Sequence, residues 1–191
     1  QASAPTTFVA PTCAKPRSPS RMLFGFGGPP PPQATVTEKA FLDVSVFSAK
    51  GDVKYEVGRL ELALFGEDAP KGVERFRALC AGGSSAPLKS NAFHRTMRDF
   101  IVQAGKLDDA AAFEPFEEKN ALKHVEGALS MSNDAGVSTT EFFITVREAP
   151  ELDGEYAVIG QVTGGMKEVI RDMDRRAGSA DGEPWCTYEI S

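Results

Sequence analysis

The chain has 191 residues, of which 41% are hydrophobic and 25% charged, so it falls in the globular range and can bury a sizeable core. It contains no apolar run of roughly 18 residues, which excludes a transmembrane helix within this sequence. The net charge of −6 argues against a general nucleic-acid binder, and the three cysteines and two histidines stand at no metal-binding spacing.

Residues 1–38 differ from the rest in composition and are predicted to form an extended arm ahead of a domain at residues 39–191. Residues 1–37 contain three basic residues, no acidic residue and eight of the 13 prolines. Residues 38–191 contain the other 18 basic residues and all 27 acidic ones, a charge of −9. A proline-rich segment lacks backbone donors and periodic apolar positions, so the arm cannot build a core of its own.

The arm has five apolar side chains that are candidates for anchoring it to a protein partner: Phe8, Met22, Leu23, Phe24 and Phe26. Because the proline run Pro29–Pro32 favours a stiff polyproline II rod, we expect the arm to extend away from the domain. A leftover spacer or transit remnant is the alternative. The acid-free, Arg/Ser/Pro-rich composition and the start at Gln1 are typical of a processed plastid precursor, with a mitochondrial or secreted setting as the runner-up.

From Phe41 onward the pattern predicts short β-strands. Apolar and polar side chains alternate over residues 42–46, as in a strand with one buried face. A second strand is expected at 57–64, and six more at 92–97, 99–104, 127–132, 141–146, 156–162 and 185–190. Asp68-Ala69-Pro70, with Asp68 as the cap candidate, predicts a helix over 70–81, and a second helix is expected over 165–174.

Eight short strands and two helices favour a mainly β fold, a closed eight-stranded antiparallel barrel capped by two α-helices. Closure removes the exposed edges that many short strands would otherwise create. An open α+β sheet is the alternative. Nucleophile-elbow, P-loop and dinucleotide-binding patterns are absent from the sequence, and the paired acids Asp108-Asp109 and Glu117-Glu118 are interpreted as solvated loop charges.

Five segments carry more information than these generic patterns: Phe93-His94-Arg95, Phe100–Gly105, Leu129–Asn133, Glu141–Ile144 and Leu152-Asp153-Gly154. In this order and approximate spacing, they resemble the cyclophilins, peptidyl-prolyl isomerases with an eight-stranded barrel and two helices. The resemblance covers roughly residues 39–190. It implies a barrel that acts on proline-containing polypeptides without a metal or a cofactor.

The resemblance also implies roles for individual residues. Arg95 matches the family's catalytic arginine, Gln103 the glutamine that positions the substrate backbone, and Asn133 the asparagine whose main chain pairs with the peptide. The apolar pocket for the proline ring is matched by four residues: Phe100, Ile101, Phe143 and Leu152.

Several positions depart from the family pattern. Glu151 stands where tryptophan is frequent, which is expected to weaken cyclosporin-type binding, and Tyr156 stands where histidine is usual. Asp134 and Glu141 add negative charge near the groove, and pairing of Arg95 with either would make its guanidinium less available. We therefore expect weak isomerase activity. The alternative is a non-catalytic subunit that the arm ties into a larger assembly, such as a thylakoid complex of the chloroplast.

Overall fold

The computed structural model describes residues 6–7, 32–47, 54–81, 86–177, 182 and 186–191. The five predicted anchors of the arm, Phe8, Met22, Leu23, Phe24 and Phe26, lie outside the described residues. Only the backbone of Thr6–Thr7 is described ahead of Pro32, and it pairs in parallel with Glu38 and Lys39, so this stretch of the arm lies against the domain's sheet and does not extend away from it as expected. The predicted binding of the arm to a partner therefore stays a prediction.

In the part of the chain that the structure describes, nine strands form one sheet, and eight of them lie in the predicted domain. The two-residue β1 is followed by β2 (Glu38–Phe47), β3 (Lys54–Leu64), β4 (Arg95–Met97), β5 (Ile101–Ala104), β6 (Ala128–Asp134), β7 (Val137–Thr145), β8 (Val158–Gly164) and β9 (Tyr188–Ile190). Each of the eight strands in the domain overlaps a predicted segment, whereas β1 was not predicted. In β2 the alternation of apolar and polar residues predicted the buried face, because Leu42 and Val44 are fully buried while Asp43 between them is not.

The sheet curls and closes on itself. The antiparallel order β2-β3-β8-β6-β7-β5-β4 begins at β2, which pairs with β9, and ends at β4, where the segment just before the strand contacts β9. On one side β9 pairs with Val44–Val46 of β2. On the other side, Phe93 N donates to Tyr188 O at 2.9 Å, and Ser90 N donates to Ile190 O at 2.8 Å. The predicted eight-stranded antiparallel barrel is confirmed.

Helix α1 (Pro70–Cys80) matches the predicted helix over 70–81, and proline occupies its first turn. The cap differs from the prediction, because Asp68 does not cap the helix and the N-cap residue Ala69 has no side-chain donor or acceptor. Instead Glu118, 46 residues away from Gly72, accepts hydrogen bonds from Lys71 N at 2.9 Å and Gly72 N at 2.8 Å. Glu118 is therefore a helix cap and was wrongly interpreted as a solvated loop charge.

The second predicted helix is irregular. A π-helical turn, Met166–Ile170, follows Gly165 and leads into α2 (Arg171–Arg175). Val169, Ile170 and Met173 are buried in the core. No helix among the described residues is long and apolar enough to cross a membrane.

The barrel interior holds one large apolar core. The ring of Phe76, from α1, packs edge-on against Phe142 of β7, with 5.1 Å between the ring centroids. The thiol of Cys80 is buried in the same core, which raises its pKa to about 12. This thiol is thus a packing group and not a nucleophile at neutral pH.

Candidate active site

Three neighbouring strands build the site, and their register decides which side chains share its face. Arg95 of β4 lies opposite Gln103 of β5, and Gln103 lies opposite Phe143 of β7. Directly opposed residues of an antiparallel pair point to the same side of the sheet. Arg95, Gln103 and Phe143 therefore share one face, while the alternate positions Val102 and Ile144 are fully buried in the core.

The turn between β4 and β5 is held from outside by α2. Asp99 adopts a left-handed conformation with φ of 53°, and its N–H donates to the Asp174 carboxylate at 2.7 Å. Phe100 N donates to Met97 O at 3.1 Å, and Val146 N donates to Phe100 O at 2.7 Å. These bonds fix the backbone of Phe100 beside β7.

The side chains on this face line an open groove of about 290 Å³. The structure brings all seven sequence-predicted site residues into its lining: Arg95, Phe100, Ile101, Gln103, Asn133, Phe143 and Leu152. Three further residues complete it: Met97, Ser132 and Tyr156. Sequence reasoning did not select Met97, although its place two residues after Arg95 on the same strand puts both side chains on one face.

The floor of the groove is apolar. Phe143 and Ile101 are buried, with 2% and 7% of their surfaces exposed, and Leu152 sits on a short 3₁₀ turn at Pro150–Leu152. The ring of Tyr156 meets Phe143 edge-on at 5.2 Å between centroids. Tyr156, which stands where histidine is usual in the resembled family, thus adds an aromatic wall to the pocket.

Beneath Phe143 lies a buried histidine. The His124 ring stacks on Phe143 at 6.0 Å between centroids, and its Nδ1 is 3.0 Å from Asp153 Oδ1. Burial lowers the pKa of His124, against the opposing effect of Asp153. The backbone N–H of His124 also donates to Asp153 at 2.9 Å, so this residue holds a turn as well.

The polar wall of the groove centres on Arg95 and Gln103. Arg95 is exposed, and no carboxylate of the described residues forms an ion pair with it. Pairing of Arg95 with Glu141 or Asp134, considered from the sequence, does not occur. Glu141 instead accepts a hydrogen bond from Gln103 Nε2 at 2.6 Å, and His94 Nε2 lies 3.4 Å from the same carboxylate oxygen.

Asn133 lies on β6 beyond the residues that pair with β8. β8 pairs with β6 at Ala128–Ser130 and adds one hydrogen bond at Met131, so the ladder stops before Asn133. The Asn133 side chain is engaged locally, since Nδ2 donates to Glu155 O at 2.9 Å and Oδ1 accepts from Gly136 N at 3.2 Å. The main chain of Asn133 is therefore the part placed to pair with an extended peptide.

Glu151 forms part of the rim. Its carboxylate accepts a hydrogen bond from Arg147 Nη2 at 2.7 Å, and this bond lowers the pKa of Glu151. The Arg147 guanidinium in turn lies over the ring of Phe100. A charged pair thus occupies the edge of the groove where the resembled family has tryptophan.

Among the described residues, no group of three or more His, Cys, Asp or Glu side chains is arranged to hold a metal ion.

The family model described as "Cyclophilin type peptidyl-prolyl cis-trans isomerase/CLD" matches residues 51–190 of the chain. Peptidyl-prolyl cis-trans isomerase CYP7 of Saccharomyces cerevisiae is 31% identical over 192 residues, covering 79% of this chain and 47% of the relative. Peptidyl-prolyl cis-trans isomerase 9 of Caenorhabditis elegans is 36% identical over 172 residues (81% and 53%). Peptidyl-prolyl cis-trans isomerase CYP21-1 of Arabidopsis thaliana is 34% identical over 166 residues (78% and 71%). The matches therefore span about half the length of the first two relatives.

Proposed function

This chain belongs to the cyclophilin family, and we propose that its groove catalyses cis–trans isomerisation of X–Pro bonds in polypeptides. The observation that carries the proposal is the placement of a guanidinium beside an apolar pocket on one face of the sheet. Arg95 stands at the rim without an ion-pair partner among the described residues, while Phe143 and Ile101 form a buried floor. The relatives' names support the same reaction.

This arrangement suits the chemistry of rotation about an amide. Turning the bond breaks amide resonance, against a barrier of roughly 18–20 kcal/mol. In the twisted state the proline nitrogen becomes pyramidal and carries a lone pair, which a guanidinium stabilises more than it stabilises either planar state. Arg95 can therefore lower the barrier without proton transfer or a covalent intermediate.

The apolar floor contributes in two ways. Phe143, Ile101 and Leu152 can hold the proline ring while the preceding carbonyl swings, so the rotation happens at a fixed place relative to Arg95. The same pocket withdraws the amide from water, which removes hydrogen bonds that favour its planar form. The edge of β6 at Asn133, where β8 no longer pairs with it, can align the peptide as an added strand.

A direct test compares Arg95→Ala with the unchanged protein in an NMR exchange or protease-coupled assay on a short X–Pro peptide. We expect acceleration by the unchanged protein and a loss of about 100-fold or more in Arg95→Ala. Arg171→Ala is the matched control, because Arg171 binds Glu126 at 2.9 Å and does not line the groove. Equal rates for Arg95→Ala and the unchanged protein would refute the role of Arg95, and two folded but inactive proteins would favour a scaffold.

We further propose that residues 1–38 tie the barrel to a protein partner, within a plastid assembly. The support is the composition of the segment, which carries a charge of +3 over residues 1–37 and is acid-free, against −9 in the remainder. Migration on a native gel should change when residues 1–37 are deleted, while isomerase activity should not. Unchanged migration in an extract of the native source would contradict the proposal.

A further inference from the structure

The amide of Gln103 has one orientation in the groove because its neighbour is a carboxylate. Gln103 Nε2 lies 2.6 Å from Glu141 Oε2 and 3.4 Å from Ser132 Oγ. An ionised carboxylate only accepts hydrogen bonds, so the group it faces must be the NH₂ and cannot be the carbonyl oxygen. A glutamine at position 141, as is common in the resembled family, would accept either orientation of Gln103.

This orientation leaves the carbonyl oxygen of Gln103 as the group available to a ligand. Both hydrogens of Nε2 have acceptors within the protein, in Glu141 and Ser132. No donor of the described residues is hydrogen-bonded to Gln103 Oε1, and Gln103 lines the groove. A bound peptide therefore meets an acceptor at this point.

Glu141 is itself held in place. His94 Nε2 lies 3.4 Å from Glu141 Oε2, and His94 Nδ1 is buried without a hydrogen-bond partner among the described residues. Burial lowers the pKa of His94, so the ring is neutral at neutral pH. A neutral ring with its proton on Nε2 turns this N–H toward Glu141 Oε2 and leaves Nδ1 as the buried lone pair. His94, to which the sequence assigned no role, thus supports the carboxylate.

We infer that Glu141 is a positioning residue, which turns Gln103 into a hydrogen-bond acceptor and so selects substrates that present a backbone N–H at this point. This inference rests on the proposed function, because it names a specificity of the same groove. Proline has no N–H, so the donor must be the backbone amide of X or of a residue outside the X–Pro pair. Peptides that lack this N–H should bind less well.

The test uses a short X–Pro peptide and copies of it that are N-methylated at one backbone amide at a time, that of X included. With the unchanged protein, one methylation should weaken binding by up to about tenfold, the value of a typical hydrogen bond. In Glu141→Gln the same methylation should cost little, because the Gln103 amide can rotate. Asp134→Asn removes the same charge near the groove without contacting Gln103, so its methylation profile should match that of the unchanged protein.

A second readout does not depend on activity. The side-chain amide protons of Gln103 should be strongly inequivalent by ¹H–¹⁵N NMR, with one shifted downfield by the charge-assisted bond. Glu141→Gln should move this proton upfield, and Asp134→Asn should leave it in place. An unchanged Gln103 resonance in Glu141→Gln, or equal methylation profiles in all three proteins, would overturn the inference. The protein could instead show no isomerase activity and still have the shifted Gln103 resonance and the N–H selectivity in binding. That result would refute the proposed function and leave the inference about Glu141 standing.

Discussion

The guanidinium of Arg147 lies over the ring of Phe100, with 5.5 Å between Arg147 Cζ and the ring centroid. Arg147 also donates to Glu151 at 2.7 Å and to the carbonyl of Glu148. The rim of the groove next to Phe100 is therefore a cation–π contact backed by an ion pair. Both partners of the ion pair are about half exposed, so water screens it and it contributes little to stability.

Replacing Glu151 by tryptophan should therefore strengthen the binding of cyclosporin at little cost in stability. The indole adds a large apolar surface to the rim, where the present carboxylate must stay hydrated. We expect affinity measured by calorimetry to rise by about tenfold or more. Glu148→Trp, on the same exposed loop, is the control, and an equal rise in both variants would show that the position of the ring does not matter.

Gly182 should be required for the position of Arg95. Its φ is +88°, and a Cβ there would lie 2.8 Å from Arg95 Cγ and 3.4 Å from Arg95 Nε. Gly182→Ala should displace the guanidinium and lower kcat/KM by about 10- to 100-fold, since small displacements of a catalytic group are costly.

Gly136→Ala is the matched control for Gly182→Ala. Gly136 has nearly the same φ, +89°, but nothing lies within 4 Å of a Cβ built on it. Both variants should therefore carry the same backbone strain, about 1–2 kcal/mol, and lose similar stability from it. If Gly136→Ala lowers isomerase activity as much as Gly182→Ala, strain explains the loss and contact with Arg95 does not.

Glu118 should contribute to stability through the N-terminus of α1. Its two carboxylate oxygens accept hydrogen bonds from Lys71 N and Gly72 N, beside the positive end of the helix dipole. We expect Glu118→Ala to lower the free energy of unfolding by about 1–2 kcal/mol in urea titrations. Glu117→Ala removes an adjacent exposed acid and should change it by less than about 0.5 kcal/mol. Equal losses would mean that the cap is not specific to Glu118.

The stability of the barrel should fall as the pH is lowered from 7 to 5, partly because of His124. Burial lowers the pKa of His124 below its ordinary value of 6.5, with Asp153, Glu151 and Lys123 as the charged groups around it. The unfolded chain then binds more protons in this range, so stability is complete above about pH 6.5 and declines below it.

Asp153, which contacts His124, does not contribute to the change in stability between pH 7 and 5. Burial acts to raise the pKa of Asp153, but hydrogen bonds from His124 and Lys123 outweigh it and lower the pKa to about 2. Asp153 thus stays charged while the histidine titrates. His124→Gln should flatten the plot of unfolding free energy against pH by up to about 1.4 kcal/mol per unit. The slope that remains should reflect His94, the other histidine, and an unchanged slope in His124→Gln would contradict the assignment.

The strands could be predicted from the sequence because they depend on local pattern, and the residues that line the groove could be predicted through the resemblance. Alternation in β2 predicted its buried face, and Pro70 in the segment Asp68-Ala69-Pro70 predicted the start of α1. The seven site residues occur in short segments whose order and spacing resemble the cyclophilins. Arg95, Gln103 and Phe143 lie opposite one another in the paired strands. Because side chains alternate between the two faces of a sheet, this register places all three on the same face.

The partners of the charged side chains could not be predicted in this way. Glu141 was expected near Arg95 but binds Gln103, 38 residues away, and Glu118 caps a helix 46 residues before it in the chain. Such choices depend on distances of a few ångströms between elements that meet only after the barrel closes. By itself the sequence determined which residues face the groove, and only the tertiary structure decided which of them are engaged with one another, because hydrogen bonds require contact and direction that a linear pattern does not contain.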